Sequence, residues 1–182
     1  MRHRLVTTLT AVTTLVASGG AVAASATSGA LTIQGNGLRL VPLGTSESRA
    51  VVVLDQLIGN STTKVVATPS MKNCGVDAWG TWHALSAYFD HGRLVGIQVG
   101  PGHQPSVQTA AGLRLGDTLR RARQLYAARL TTTDANGGGW IVATSTGRID
   151  GFVGRDGPRG PVSSSTILTI DVGNVGCPAM SP

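Results

Sequence analysis

Two amphipathic segments with helical periodicity, 72 residues apart in the chain, constrain the fold more than any other feature of the sequence. Gly44-Thr45-Ser46 opens the first segment and Gly116-Asp117-Thr118 opens the second, and in each a short polar side chain can cap the free amides of a first turn. Apolar residues then recur three and four positions apart, which places them on one face. They are Ala50, Val53, Leu54, Leu57 and Ile58 in the first segment and Leu119, Ala122, Leu125, Tyr126 and Leu130 in the second. Each helix is therefore expected to bury one face.

Strand-like runs follow both predicted helices. Residues 82–89 and 93–99 flank Asp90-His91-Gly92, a turn sequence that predicts a β-hairpin. In the second half, residues 140–144 and 148–153 form a similar pair before a last strand at 166–172. One apolar face of the strand at 93–99 is predicted to meet the core, namely Val95, Ile97 and Val99.

The matching order of elements in the two halves indicates an internal duplication. We predict an α+β fold of two tandem helix-plus-antiparallel-sheet repeats, with two ordinary amphipathic helices in one α+β domain as the alternative. The predicted boundaries are a disordered segment at 27–37, a first repeat at 38–100, a linker at 101–112 and a second repeat at 113–182.

Four stretches of the sequence resemble a class of exported bacterial proteins built from tandem repeats of a helix followed by a small antiparallel sheet. They are Leu43-Gly44-Thr45-Ser46, Leu115-Gly116-Asp117-Thr118, Phe89-Asp90-His91-Gly92-Arg93 and Val172-Gly173-Asn174-Val175-Gly176-Cys177-Pro178. In these features the chain is similar to the beta-lactamase-inhibitory proteins and to BamE-like envelope modules. The resemblance implies two repeats over residues 38–178 and an inhibitor-like binding function. Each repeat of the inhibitory proteins generally has its own disulfide, whereas this chain has one cysteine in each half, so the resemblance covers the architecture and not the target.

The N-terminus has the pattern of a secretory signal peptide at residues 1–26. Arg2 and Arg4 precede an uncharged stretch, and cleavage is expected after Ala23 or Ala26, each of which completes an A-x-A pattern. An uncleaved anchor is the alternative, but the apolar run is shorter than the roughly 20 residues that a spanning helix needs. No cysteine stands where a lipid would be attached. The sequence therefore predicts a secreted, extracellular bacterial protein that is not a lipoprotein and has no transmembrane segment after cleavage.

The chain has two cysteines, Cys74 and Cys177. Export would place them where disulfides persist, so an even pair predicts one bridge, with free thiols or an intermolecular link as the alternatives. On the chain-entropy view, closing a loop of about 100 residues stabilises a fold by up to about 4.7 kcal/mol.

Candidates for catalysis are few. The sequence has no H-E-x-x-H, G-x-S-x-G or G-x-x-x-x-G-K-[ST] motif. His83, His91 and His103 are the histidines outside the leader, and Glu47, the one glutamate, is assigned to the start of a helix. We therefore expect no enzymatic activity, catalytic residue, cofactor or metal site, and an uncharacterised secreted hydrolase is the least favoured alternative.

Two groups of residues are candidates for binding. Trp82, Tyr88 and Trp140 are scarce large aromatics; if Leu85 and Phe89 face the core, Trp82 and Tyr88 face outward on the free face of a sheet. The alternative is that these rings cover the edges of the core. Arg120, Arg121 and Arg123 form a short basic patch on the second helix, for which a solvated helix face is the alternative.

The leading hypothesis is a non-enzymatic protein-interaction module that uses the free sheet face to bind an unknown extracellular or envelope protein. A protein that associates with an anionic wall polymer through the helix arginines is the second hypothesis, because the chain keeps a modest positive charge after leader removal. Nucleic acid is not an expected partner.

Overall fold

The computed structural model describes residues 31–61, 63–66, 68–102, 106–133, 138–154 and 160–176. The predicted signal peptide, His103 and Cys177 lie outside these described residues. Strands dominate the described chain: twelve of them form one sheet of four strands and one of eight. The predicted fold of two helix-plus-sheet repeats is wrong, because strands from both halves join in a single large sheet.

The helical part of the described chain is small. It contains α1 (Glu47–Ile58), the single turn α2 (Pro69–Lys72), α3 (Leu119–Tyr126) and a 3-10 turn after α3 at Ala127–Arg129. The strands are β1 (Leu31–Gln34), β2 (Gly37–Leu38), β3 (Val41–Pro42), β4 (Thr63–Val66), β5 (Ala78–Trp82), β6 (Leu85–Asp90), β7 (Arg93–Val99), β8 (Val107–Thr109), β9 (Leu130–Thr133), β10 (Gly139–Thr144), β11 (Gly147–Phe152) and β12 (Ile170–Gly173).

The eight-stranded sheet has the order β4-β5-β6-β7-β12-β11-β10-β9, and every neighbouring pair is antiparallel. Its centre is the pairing of β7 with β12, which brings Val99 opposite Ile170 and Gln98 opposite Asp171. The four-stranded sheet has the order β3-β2-β1-β8, in which β1 and β8 run parallel. The last strand of the described chain therefore lies in the middle of the large sheet.

One apolar core lies between the large sheet and a layer made of α1, α3 and the small sheet. Ala50 and Leu54 of α1 are fully buried there, as are Leu119 and Ala122 of α3. The large sheet contributes alternate residues of each central strand, as its two-residue side-chain period requires. They include Leu85, Ala87, Phe89, Ile97, Val99, Val142, Ile149, Ile170 and Val172.

Both predicted helices and the predicted hairpin are present. Ser46 and Thr118 are the N-cap residues, and Thr118 Oγ1 accepts a hydrogen bond of 3.2 Å from the Arg121 amide. Gly59 ends α1 at a φ of 103°, where a side chain would be strained. The periodic apolar faces thus located α1 and α3 correctly, although Leu130 belongs to β9 and not to the helix.

Three predictions about individual segments are wrong. Residues 31–34, expected to be disordered, form β1, and 107–109 of the expected linker form β8, because the two strands pair with each other. In β7 the core face includes Leu94 rather than Val95, since the ladder between β6 and β7 shifts register at Tyr88 and Phe89.

No helix in the described part of the chain is long and apolar enough to cross a membrane.

Candidate functional site

The large sheet has one face on the core and one open face, and the open face carries a row of polar side chains. Cross-strand pairing aligns Ser86 with Gln98, Gln98 with Asp171, and Asp171 with Asp150. Ile141 of β10 lies opposite Asp150 and ends this polar row with an apolar side chain. The row therefore places two carboxyl groups side by side on adjacent strands, where like charges destabilise each other.

Asp171 is the central residue of this row. Its neighbours along β12, Ile170 and Val172, point into the core, so the strand period turns Asp171 to the open face. Only 4% of Asp171 is exposed. Its Oδ2 accepts a 3.2 Å hydrogen bond from the Thr169 hydroxyl, and the Gln98 side chain also donates to the carboxyl group. Its Oδ1 is buried without a hydrogen-bond partner, and it alone among the side-chain polar atoms of the described residues has that status.

Burial raises the pKa of Asp171 to about 7, and the negative charge of Asp150 acts in the same direction. The hydrogen bonds from Gln98 and Thr169 oppose this rise. Gln98 is itself oriented by Tyr88, whose hydroxyl donates to Gln98 Oε1 over 3.1 Å. The carboxyl group therefore sits at the end of a polar network in which Oδ2 is held by Thr169 and Oδ1 is buried without a partner among the described residues.

A cavity of about 340 Å³ opens beside Asp171 on this face. Asp150 and Ile141 also line it, and Arg148, two residues before Asp150 on the same strand face, pairs with the Asp150 carboxylate. The segment 174–176, which follows β12, closes one side. Acidic, basic and apolar groups thus meet in a concave site on the open face of the sheet.

The segment that forms this wall is held by close packing on β7. A Cβ atom placed on Gly96 would lie 2.0 Å from the carbonyl oxygen of Asn174. The Asn174 side chain donates to the carbonyl oxygens of Cys74, over 2.6 Å, and of Gly75, over 3.2 Å. The chain after β12 therefore crosses the open face next to Cys74.

The predicted aromatic anchors do not form an exposed patch. Trp82 and Trp140 are core residues, 1% and 0% exposed. The indole N–H of Trp82 donates to Asp55 Oδ1 over 2.6 Å, and that of Trp140 donates to the Thr169 carbonyl over 3.3 Å. Both rings lie inside the core, so neither the outward-facing anchors nor the rings that cover core edges describe them.

Tyr88 does lie on the open face, but its ring is 8% exposed and packs in a small apolar cluster with Val76. Trp82 and Tyr88 lie on opposite faces because residues 82–89 are not one strand. A turn at His83, with a φ of 53°, separates β5 from β6 and breaks the parity that the prediction carried across it.

The three arginines of the predicted basic patch are all exposed on α3. Arg120, Arg121 and Arg123 form no ion pair with any acidic residue in the described segments. Arg123 instead donates to the Ser163 hydroxyl over 3.0 Å. The helix thus presents uncompensated positive charge on the side of the molecule away from the open sheet face.

Two further features of the described chain have the outline of a site but not its chemistry. Asp77, Asp90 and His91 place one ligand atom each within 4.8 Å of one another, but Asp77 accepts the His91 amide and Asp90 pairs with the His91 ring, so these side chains stabilise the hairpin turn. A cavity of about 540 Å³ near Arg114 has no buried polar side-chain atom without a partner among the described residues.

Cys74 is not free. Cys177 lies outside the described residues, so its pairing with Cys74 stays a prediction. The path of residues 174–176 alongside Cys74 favours it.

Sequence reasoning missed Asp150, Asp171 and Gln98 as site residues. One signal was present: Asp171 interrupts the apolar run Thr166 to Val172 of the predicted last strand. A charged residue there indicates a strand whose second face is not simply core. Its partners were out of reach, because they depend on the pairing of β12 with β7 and β11.

No protein family, curated protein or solved structure was found to match the chain.

Proposed function

We propose that the protein is a secreted binding module whose partner, an extracellular or envelope protein, docks on the open face of the eight-stranded sheet over the Asp171 cavity. The observation that carries the proposal is that Asp171 lines a cavity while its buried Oδ1 has no hydrogen-bond partner within the described residues. Buried polar atoms in native proteins are almost always hydrogen-bonded, and an unsatisfied one costs about 1–3 kcal/mol. A ligand that donates to this atom would recover that cost.

Binding rather than catalysis is the role that these groups support. Asp150 is already paired with Arg148, and Tyr88 and Gln98 are used to hold Asp171, so the site offers one acceptor in a shaped pocket.

Capture from the extracellular fraction and the envelope tests this proposal. The wild-type protein is compared with Ile141→Arg, which places a cation in the cavity next to Asp171, and with Leu40→Arg, which adds the same charge in the turn between β2 and β3, at a residue that is 63% exposed. We expect a partner that wild type and Leu40→Arg both retain and that Ile141→Arg loses by at least about tenfold. Retention by Ile141→Arg contradicts the proposal.

A second function is favoured by the exposed arginines of α3. Because Arg120, Arg121 and Arg123 lack ion-pair partners in the described chain, they suit an anionic wall polymer. Such binding weakens as salt rises, since exposed charges are screened within about 10 Å at 0.1 M. Binding to a polyanion that disappears both in high salt and in the triple Arg→Gln variant would support this function, and salt-resistant binding would contradict it.

A further inference from the structure

We infer that the group which enters the Asp171 cavity is a cationic side chain of the protein partner, a lysine or an arginine whose apolar stem lies against the cavity wall. This inference rests on the proposed binding function and names the chemistry of what is bound.

The charges around the cavity support a cation. Asp150 and Asp171 supply two carboxyl groups on adjacent strands, and Arg148 compensates one of them. With Asp171 ionised, the site therefore holds one uncompensated negative charge. An N–H donor of an ammonium or guanidinium group would satisfy Asp171 Oδ1 and supply the missing positive charge together, and hydrogen bonds of this charged kind are about twice as strong as neutral ones.

The walls support a stem with methylene groups. Ile141, Phe152 and Val175 line the same cavity and are each half-buried, so apolar surface remains for a chain to cover. Lysine and arginine side chains combine such a stem with a charged end. A volume of about 340 Å³ is at the small end of ligand pockets, which suits one inserted side chain.

A metal ion fits the same groups poorly. Calcium takes six to eight oxygen ligands, whereas the cavity offers the carboxylates of Asp150 and Asp171 with the Arg148 guanidinium beside them. The fixed positive charge of Arg148 repels a divalent ion about twice as strongly as a monovalent organic cation at the same distance.

Protonation provides an independent signature. Burial holds the pKa of Asp171 near 7, so at pH 6 most molecules carry a neutral carboxyl group there. A bound cation favours the ionised form, and binding must then release a proton at pH 6. The groups that face Asp171 from the neighbouring strands are Tyr88, Gln98, Arg148 and Asp150, and the Asp150 carboxylate forms an ion pair with Arg148.

The test is a titration of the 15N-labelled protein with blocked amino acids. N-acetyl-lysine methylamide and N-acetyl-arginine methylamide are compared with N-acetyl-norleucine methylamide, which has a similar stem without the charge. We expect saturable amide shifts at Ile141, Asp150 and Asp171 for the two cations, an affinity at least about tenfold weaker for norleucine, and a rise in affinity between pH 6 and pH 8. Asp171→Asn should weaken cation binding about tenfold, while Asp90→Asn, the same change at the hairpin turn, should leave it unchanged.

Four results would overturn the inference. Two concern specificity: the norleucine compound binds as tightly as the cations, or calcium alone produces the same shifts. The other two are full cation binding by Asp171→Asn, and no shift at these residues with either cation at 50 mM, a concentration roughly ten times a weak Kd of about 5 mM. If the captured partner is still lost with Ile141→Arg but no cation is preferred, the binding function stands and the cationic side chain is rejected. If no partner depends on the cavity while the lysine compound binds, the proposed function fails independently.

Discussion

At the scale of single residues, Asp171 is costly to bury, and its Oδ1 has no hydrogen-bond partner among the described residues. An aspartate in the centre of an eight-stranded sheet must leave water, and burial raises its pKa from 3.8 to about 7. Its neighbours Thr169 and Gln98 offset part of that cost by donating hydrogen bonds. An apolar residue at this position would avoid the cost of burying a carboxyl group. The presence of an aspartate here therefore suggests a role in binding rather than in stability.

The raised pKa of Asp171 predicts how stability changes with pH. Between about pH 4 and pH 7 the native chain holds a proton that the unfolded chain releases, so the free energy of unfolding falls as pH rises and the loss is complete above about pH 7. The pKa difference corresponds to roughly 4 kcal/mol. The Asp171→Asn variant has no ionisable group at this position, so it does not undergo this loss. Measured by urea unfolding, the free energy of unfolding of the variant minus that of wild type should therefore rise by a few kcal/mol from pH 4 to pH 8. Parallel pH profiles for the two proteins would contradict this account.

Trp82 illustrates a residue whose importance is structural. Its ring is buried, and its indole N–H donates to Asp55 Oδ1, which also accepts the Ser61 amide over 3.0 Å. Trp82→Phe should therefore lower the free energy of unfolding by about 1–3 kcal/mol, because it shrinks the core and removes one donor from Asp55. Trp79→Phe is the matched control, since Trp79 is half-buried on the open face, and it should cost less. Equal costs in denaturant unfolding would show that Trp82 does not have this role.

At the scale of elements, the open face depends on how closely the chain after β12 crosses β7. Gly96→Ala keeps an allowed backbone but brings a methyl group against the Asn174 carbonyl oxygen, so we expect a loss of about 1–3 kcal/mol in stability. Gly100→Ala is the control, because a Cβ there meets no atom within 4 Å, and it should change stability by no more than about 0.5 kcal/mol. Gly96→Ala should also weaken cation binding at the cavity, since residues 174–176 form its wall. A Gly96→Ala variant as stable as Gly100→Ala would refute this packing.

Local patterns in the sequence predicted the local elements. The apolar faces and caps located α1 and α3, and Asp90-His91-Gly92 located the β6–β7 hairpin, because each signal depends on residues close together in the chain. The sheet was beyond this reasoning. The pairing of β7 with β12 joins residues about 70 positions apart, so no local pattern encodes it.

The errors at the site have the same cause. The outward direction of Trp82 was inferred from alternation along one strand, and the turn at His83 reversed it. The environment of Asp171 exists only once Gln98 and Asp150 are brought beside it by strand pairing. The arginines of α3 were predicted correctly as an exposed group, since helix periodicity alone decides their face.

At the scale of the whole molecule, the predicted Cys74–Cys177 bridge would tie the chain that follows β12 to the segment that precedes β5. The Asn174 side chain already donates a hydrogen bond to the Cys74 carbonyl oxygen. A Cβ atom placed on Gly176 would lie 3.6 Å from the Met71 side chain, so the described chain ends close to Cys74. A bond across about 100 residues limits the unfolded chain, and its loss should lower the free energy of unfolding by about 2–5 kcal/mol. Because residues 174–176 form the cavity wall, the Cys74→Ser, Cys177→Ser double variant should bind the lysine compound more weakly than wild type. Mass spectrometry of the unreduced protein checks the bond directly. Unfolding with and without reductant measures how much the bond contributes to the free energy of unfolding. The double variant is the control, because reductant should not change its stability. Two free thiols in the purified native protein, or a double variant as stable as wild type, would mean that packing on Gly96 and the Asn174 hydrogen bonds hold this wall without a covalent link.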